Sequence, residues 1–412
     1  MCIRDRHRAP LFLLPNPKTA FILSPSKKVK TLNFYISLVS CKLHQRGTEM
    51  KILVGMSGGV DSSTVACILK EQGHEVIGAT MSIWDKAKHY NITAHKDACF
   101  SPHEEEDIKE ARALCQKLDI PYCVIDCTKQ YQKLVLDNFK SEYLAGRTPN
   151  PCVICNAAIK FAALPLSAAE QGLVFDKFAT GHYARLSYNE KLQRYQLRRA
   201  VDEKKDQSYF LYRLQQEQLA KIMLPLGDFT KSEVREIARK YGLNVSDKPD
   251  SQDFYTGDIN DILQTEPKPG NFVNTAGKVL GTHRGIWNYT VGQRRGLGIS
   301  ADRPLYVIKL DKEKNEVVLG YEEECYKEAL VADGLTWLSV PPLAEKTEIQ
   351  VRLRSSQAPV AAEFLPQSAD TAAIRFFSRQ KAVAAGQSAV FYDNDGYVLG
   401  GGFIKGTQNA AV

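Results

Sequence analysis

The segment from residue 51 to residue 73 constrains this chain more than any other. Ile52, Leu53 and Val54 form a short apolar run, Gly55-Met56-Ser57-Gly58-Gly59-Val60-Asp61-Ser62-Ser63 follows, and Val65, Ile68 and Leu69 then recur at helical spacing up to Gly73. This order predicts a buried strand, a tight turn and a helix over 61–70. Small residues at such a turn let backbone N–H groups approach a phosphate closely. The helix start adds unpaired N–H groups and the positive end of the helix dipole. It is not the G-x-x-x-x-G-K loop, because no lysine follows Gly59. The plainer reading is a tight turn capped by Asp61 or Ser62.

The alternation continues. Strands are predicted at 76–81, 122–125 and 178–180, with helices from Ser101-Pro102 and over about 156–171. Ser101 and Glu104 have the spacing of a capping box, with Pro102 at the first helical position. Strand and helix in turn imply an α/β domain, a doubly wound parallel sheet covered on both faces. Near residue 205 the alternation stops. Thr230-Lys231-Ser232-Glu233 is a second capping box, opening a helix that Gly242 ends. Short strands at 305–310, 316–320, 348–353, 372–377, 388–392 and 397–404 then suggest a C-terminal antiparallel β-barrel. The expected division is a leader over 1–49, an ATP-binding catalytic domain over 50–205, a small mixed connecting domain over 206–285 and a barrel over 286–412.

Composition sharpens the picture at one place. The chain has 54 Lys and Arg against 47 Asp and Glu, a net charge of +7. Residues 1–49 alone hold nine bases (Arg4, Arg6, Arg8, Lys18, Lys27, Lys28, Lys30, Lys42, Arg46) and two acids (Asp5, Glu49), so they account for the whole surplus. That stretch reads as a non-native, disordered or targeting leader, with Met50 standing just before the first strand. Net charge therefore says nothing about partners of the remainder. Apolar runs such as 11–14 and 382–385 fall far short of the roughly 20 residues that span a bilayer. The ten cysteines are not spaced like a disulfide-stapled miniprotein, which points to a reducing compartment, the cytosol or an organelle matrix, with a cytoplasmic location the expectation.

A second motif carries chemistry. Gly146-Arg147-Thr148-Pro149-Asn150-Pro151-Cys152-Val153-Ile154-Cys155-Asn156 sets two thiols three apart at an expected helix start, where the helix dipole lowers a thiol's pKa. Half of a zinc site or incidental buried cysteines are the alternatives. Cys123 and Cys127 read as core residues.

The Ser57-Gly58-Gly59-Val60-Asp61-Ser62 run resembles the pyrophosphate-binding loop of the adenine-nucleotide alpha-hydrolases, which cleave ATP between the alpha and beta phosphates. Taken with the cysteine pair, Thr180-Gly181-His182-Tyr183-Ala184-Arg185, Lys205-Asp206-Gln207-Ser208-Tyr209-Phe210-Leu211, Ser251-Gln252-Asp253 and the glycine-rich run 289–298 with Arg294-Arg295, the chain is similar to the tRNA-specific 2-thiouridylases. That resemblance implies adenylation of the C2 carbonyl oxygen of the wobble uridine and sulfur delivery from a cysteine persulfide. It implies ATP with Mg²⁺, a tRNA substrate and a persulfide donor protein, a cysteine desulfurase or relay. By position it places Gly55, Met56, Ser57, Gly58, Gly59, Val60, Asp61, Ser62, Met81 and Gly181 at ATP, and Asn150, Pro151 and Cys152 near the base. Cys155 becomes the nucleophile, and His182, Lys205, Asp206, Gln207, Arg352, Leu353 and Gln387 contact tRNA.

The chain departs from the resemblance at two cysteines. Many members carry one two residues after Ser-Gln-Asp, where this chain has Tyr255, and an aspartate where it has Cys152. Two expectations follow. Cys152 takes the resolving role against Cys155, which is the preferred reading, or the pair ligates an iron–sulfur cluster with Cys99 as a third ligand. Other ATP-pyrophosphatases, such as an amidotransferase-coupled synthetase or a tRNA lysidine synthetase, share the loop but need no cysteine pair. A regulatory module would bind ATP without turnover.

Overall fold

The computed structural model describes residues 48–88, 98–243 and 254–408. The leader and Ser251-Gln252-Asp253 lie outside the described residues.

The first strand, β1 (Lys51–Gly55), lies at the centre of a five-stranded parallel sheet. Its neighbours are β2 (Glu75–Ser82) and β3 (Tyr122–Asp126) on one side, and β4 (Lys177–Ala179) and a short later strand on the other. Ile52, Leu53 and Val54 are all fully buried although alternate residues face opposite ways, so both faces of the sheet are covered. One face takes α1 (Val60–Glu71), α2 (Glu104–Lys117) and the later helix that holds Ala238. The other takes two long helices, α3 over residues 128–144 and α4 (Pro151–Glu170). The strand order, β3-β2-β1-β4, reverses direction between β1 and β4. In open α/β sheets the crevice at that reversal, outside the carboxyl ends of the strands, is where ligands bind.

Local chemistry explains most boundaries. Gly73 ends α1 with φ +89°, a conformation that only glycine adopts readily. The Thr230 capping box forms in full: Glu233 N–H donates to Thr230 Oγ1, and Thr230 N–H donates to Glu233 Oε2 at 2.7 Å. The Ser101 capping box does not form. Helix α2 begins at Glu104 with His103 at its cap, and Ser101 Oγ accepts from His103 N–H. The Glu104 carboxylate reaches across to the end of β2 instead, accepting from Ser82 Oγ and from the N–H groups of Ile83 and Trp84. Three donors at a strand end outcompete one cap.

α4 is long and apolar enough to cross a membrane by length and composition alone. Its apolar side chains have another use: Val153, Ile159, Phe161, Leu164 and Ala168 are buried in the main core with Leu53, Ile125 and Phe178. It is a core helix lying on a sheet.

Beyond β4 a hairpin, β5 (Ala184–Asn189) and β6 (Arg194–Arg199), leaves the sheet before β7 (Ile222–Met223) returns to pair with β4. Helix α5 (Lys231–Lys240) then packs on α1. A four-stranded mixed sheet follows: β8 (Gly270–Asn274), β9 (Val279–His283), β10 (Tyr306–Asp311) and β11 (Glu316–Gly320), in the order β10-β11-β8-β9. It spans the expected boundary at residue 286, because β8 pairs with β11 in parallel from the far side of that point. Strands 306–320 therefore belong with the connecting segment. The barrel is closed, six-stranded and antiparallel, from β12 (Tyr326–Trp337) through β13 (Thr347–Arg352), β14 (Val360–Pro366), β15 (Thr371–Lys381) and β16 (Ser388–Tyr392) to β17 (Val398–Gln408). Trp337, Phe364 and Phe391 meet inside it with ring centroids 5.4–6.1 Å apart.

Candidate active site

The glycine-rich loop is held from within. Ser57 N–H donates to Ser62 Oγ at 3.2 Å, Ser63 Oγ donates to Gly59 O at 2.6 Å, and Met56 is fixed to β2 through Ala79 O and Thr80 Oγ1. Gly58 sits at φ +72° with its α-carbon against α2, where a Cβ would lie 3.2 Å from Asp107 O. Gly59, not Asp61 or Ser62, occupies the cap of α1. The turn leaves Ser57 exposed at the carboxyl end of β1. Met81 is half-buried, near the end of the neighbouring strand.

The end of β4 closes the other side. A Cβ on Gly181 would lie 2.9–3.0 Å from Asp61 and Ser62 backbone and Cβ atoms, so only glycine lets this strand end reach the start of α1. Beside it Asp61 accepts from Tyr183 Oη at 2.7 Å and pairs with Lys231 Nζ at 2.7 and 2.8 Å. Lys231 is the first residue of α5 and is 8% exposed. It brings a cation to the rim of the phosphate loop from 170 residues away. No motif singles this lysine out in the sequence. Its one signal there is its place just inside the Thr230 capping box, which fixes where the side chain starts.

The cysteine pair lies on α4. Pro151 takes the first helical position and Asn150 precedes it. Cys152 lies in the first turn and is half-buried, whereas Cys155 comes after that turn and is 8% exposed. This position matters, because the dipole's effect fades within one turn. Burial dominates instead and pushes the Cys155 thiol up to about 11, with Lys160 opposing. The expected thiolate is therefore a thiol in this structure. From Cys155 to Ala163 the helix widens to π-helical hydrogen bonding, a feature concentrated at functional sites, and Gln132–Leu136 in α3 does the same. Lys160 sits one wide turn past the cysteine. Burial works against its charge, but the thiols of Cys155, Cys99 and Cys152 together outweigh it and raise its pKa. Asn156, adjacent to Cys155 and 4% exposed, has a side-chain oxygen with no hydrogen-bond partner. An orphaned buried acceptor costs about 1–3 kcal/mol, which a donor on a bound ligand would relieve.

His182 follows Gly181 and joins the two halves. Its Nδ1 lies 2.7 Å from Thr180 Oγ1 and its ring packs on Phe161 of α4 at 5.3 Å. Burial, with Lys160 adding to it, pushes its pKa down to about 3, so the imidazole is neutral and offers no charge to a phosphate.

The residues expected at tRNA divide sharply. Arg352 Nη1 donates to Asp206 at 2.6 Å, both side chains being almost fully buried, and Asp206 also accepts from Ala200 N–H and Ser208 Oγ. Leu353 is 5% exposed. Arg352 and Asp206 bind the barrel to the segment after β6, and the Leu353 side chain lies in the barrel core. Gln207 braces Tyr183 through both its backbone and its amide. Gln387 donates to the carbonyls of Thr148 and Pro149, and Thr148 N–H donates to Ala385 O, so a barrel loop clamps the segment leading into Asn150. Lys205 is half-exposed. Arg354 bonds the carbonyls of Val291 and Ala382, whereas Arg294 and Arg295 are exposed.

Among the described residues no group of three or more His, Cys, Asp or Glu is placed to hold a single metal ion.

A phosphate loop at the switch point of a parallel sheet, faced by a thiol helix, defines an ATP-pyrophosphatase type of enzyme domain. The comparisons agree: the chain matches the tRNA methyl transferase HUP domain over residues 50–255, the tRNA methyl transferase PRC-barrel domain over 259–321 and the aminomethyltransferase beta-barrel domain over 327–404. It is 49% identical to the tRNA-specific 2-thiouridylase MnmA of Endomicrobium trichonymphae over 87% of this chain and 99% of that one. Against the protein of the same name from Acetivibrio thermocellus the identity is 44%, over 87% and 100%. The chain belongs to the tRNA-specific 2-thiouridylase family. A solved structure, the U34-tRNA thiolase NcsA from Methanococcus maripaludis with its 4Fe–4S cluster, is 18% identical over 56% of this chain and 71% of that one. Its TM-score of 0.35 is too low to bear on the cysteines here.

Proposed function

We propose that the protein is an ATP-dependent tRNA-uridine 2-sulfurtransferase acting on the wobble uridine. The observation that carries this reading is the end of β4, where Gly181 packs on the phosphate loop and His182 packs on the cysteine helix. On this reading nucleotide and thiol face one crevice. The loop residues 55–62, with Met81 and Gly181, hold ATP; Lys231, paired with Asp61, borders the phosphates, and a Mg²⁺ ion, when bound, would neutralise their charge. The C2 carbonyl oxygen attacks the alpha phosphorus, the alpha–beta bridge breaks and pyrophosphate leaves. Adenylation converts a poor leaving group into a good one. The outer sulfur of a Cys155 persulfide attacks C2, and the C2–O bond breaks with departure of AMP. Cys152 thiolate then attacks Cys155 Sγ. A disulfide forms, the bond to the transferred sulfur breaks, and the thiocarbonyl keeps that sulfur. A dithiol reductant restores the pair.

Asn150 and Pro151 border the base, and Asn156 Oδ1 accepts a hydrogen bond from it. Lys205, Arg294 and Arg295 contact phosphates, while Asp206, Arg352, Leu353, Gln207 and Gln387 position the segments that carry the chemistry. His182 does the same from inside the crevice. The sulfur comes from a persulfide-bearing donor protein, and a reducing cytoplasm suits the thiol cycle. A thiolation assay on unmodified tRNA tests the reading. Product together with AMP is expected from the wild type, and Cys155→Ser should bind ATP without thiolating. Thiolation by that variant overturns the nucleophile assignment.

A further inference from the structure

The loop between β15 and β16, residues 382–387, is built into the barrel yet touches two segments outside it. Ala382 N–H donates to Cys325 O at 3.1 Å, Val383 and Ala384 are buried, and Gly386 N–H donates to Ile404 O on β17 at 2.8 Å. Ile404 N–H in turn donates to Gln387 O at 2.7 Å, so the barrel holds the loop along its length. Its first outside contact is the loop that carries Arg294 and Arg295. A Cβ on Gly292 would collide with the Ala382 Cβ, and Arg354 Nη2 joins Val291 O and Ala382 O at 3.2 and 3.1 Å. Gly292 N–H also donates to Val307 O, and Val307 N–H to Gln293 O, which ties the base of the arginine loop to β10. The second contact is the segment entering α4. Thr148 N–H donates to Ala385 O at 2.8 Å, and Gln387 Nε2 donates to the carbonyls of Thr148 and Pro149 at 2.9 and 3.2 Å. Gly386, at φ +89°, comes so close that a Cβ on it would lie 3.0 Å from the N, C and O of Thr148, a place that suits glycine alone. Asn150, Pro151 and Cys152 follow directly. Gly146, earlier on the same segment, packs on Ile286 and on Leu310 of β10, so the entry to α4 is held from both sides.

We propose that residues 382–387 form a positioning strap: it sets the span between a phosphate seated on Arg294 and Arg295 and the base held at Asn150, Pro151 and Cys152, so that the nucleotide at that distance, the wobble uridine, is the one that reaches Cys155. This rests on the function proposed above. A phosphate contact carries no sequence information by itself, but one held at a fixed distance from the base pocket selects a position along the strand. The contacts are suited to that task because they run from backbone to backbone, and long flexible side chains do not intervene. Gly386 and Gln387 are positioning residues, acting on Thr148 and Pro149 and not on RNA.

The test measures steady-state thiolation of unmodified tRNA by the full-length protein and maps the thiolated nucleotide by mass spectrometry. Gly386→Ala sets a methyl against the Thr148 backbone, so the entry to α4 must shift. Misplacing reacting groups by about 1 Å costs up to about 10²-fold, so kcat should fall by about tenfold to a hundredfold while KM for tRNA and nucleotide affinity stay within about twofold. The share of product on uridines beside the wobble position should rise. Gln387→Met keeps the side chain's length, removes both hydrogen bonds and adds no strain, so it answers the question where Gly386→Ala fails to fold; the same split is expected at about threefold or more. Wild-type kcat in the folded variants overturns the strap. A raised KM at constant kcat overturns it too, since that result would set Gln387 on the RNA itself. Unchanged KM in the double variant Arg294→Ala with Arg295→Ala removes the far anchor and overturns the span, leaving the thiolation reading intact. Absence of thiolation by the wild type overturns that reading and the strap with it.

Discussion

The two walls of the crevice are built on opposite principles. The phosphate loop is short, polar and satisfied: its serines bond one another and the backbone, and glycines at 58 and 181 let three elements touch. The cysteine helix is long and apolar, with π-helical turns, an orphan acceptor at Asn156 and a thiol pushed up to about 11. A phosphate site must be preorganised around charge that arrives already made. A sulfur site must keep its nucleophile neutral and dry until it is loaded. On the proposed reading, the crevice joins a polar wall to a buried one whose reactive group stays masked.

The sharpest way to break this contrast is to remove each wall's key group. If Cys155 is the nucleophile, Cys155→Ser should lower thiolation by about 10³-fold or more while ATP binding stays within about twofold, because Cys155 lies outside the loop. Equilibrium nucleotide titration beside the tRNA assay checks both halves. Next in size is the pair that fastens the barrel to the catalytic segment. Asp206→Asn leaves the buried Arg352 guanidinium without its counter-charge, and breaking such a pair costs about 3–5 kcal/mol. Denaturant melts should show that loss, and the double variant Asp206→Leu with Arg352→Met should recover a large part of it. Gly181→Ala acts on the polar wall. Its methyl would lie 2.9–3.0 Å from Asp61 and Ser62 atoms, so the loop must shift, at about 1–3 kcal/mol. ATP affinity should fall by about tenfold with tRNA binding unchanged.

The polar wall was the legible one. Its strand, turn and helix are local in sequence, so period and residue size disclose them, and the central sheet follows from the same alternation. The thiol wall was legible only as a motif. Two cysteines three apart announce chemistry, but whether a thiol is ionised depends on burial against Phe178 and Leu53, which the motif does not contain. Lys231 and Arg352 illustrate a second limit. Each finds its carboxylate 170 and 146 residues away, and no short-range pattern encodes such a pairing. Arg352-Leu353-Arg354 and Arg294-Arg295 look alike as basic segments, yet one faces a buried aspartate and a barrel loop and the other faces solvent. The strand pairing of β8 with β11 is likewise non-local, which is why the expected boundary at 286 fell inside a sheet.

The masking of Cys155 gives a prediction in pH. A thiol whose pKa is raised by burial stays protonated across the range where an unfolded cysteine ionises, between about 8 and 9. Site-resolved alkylation of Cys155 should therefore climb by roughly tenfold per pH unit from pH 7 and keep rising past pH 9, levelling only near about 11. The same thiol in denatured protein should level off by about pH 9–10. The sign for stability follows from the same shift. Folding favours the protonated thiol, so this contribution is complete below the unfolded value and fades as pH rises towards about 11. A plateau for the folded protein below pH 9 would mean that Lys160 outweighs burial and that the nucleophile is already ionised.

The smallest effect tests where RNA meets the molecule. Arg294 and Arg295 are exposed on the loop between residues 289 and 299, and the backbone of that loop is fixed to the barrel through Arg354. If each binds a phosphate, Arg294→Ala with Arg295→Ala should weaken tRNA binding by a few fold and reduce the salt slope by about one for each phosphate no longer neutralised, uniformly across tRNA sequences. Neither ATP affinity nor the pH profile of Cys155 should move. An Arg352→Ala change separates the classes, because its effect should appear first in the melting transition and only then in binding. A salt slope that survives the double exposed variant and falls in the buried one would reverse the division between phosphate binding and positioning made at these arginines.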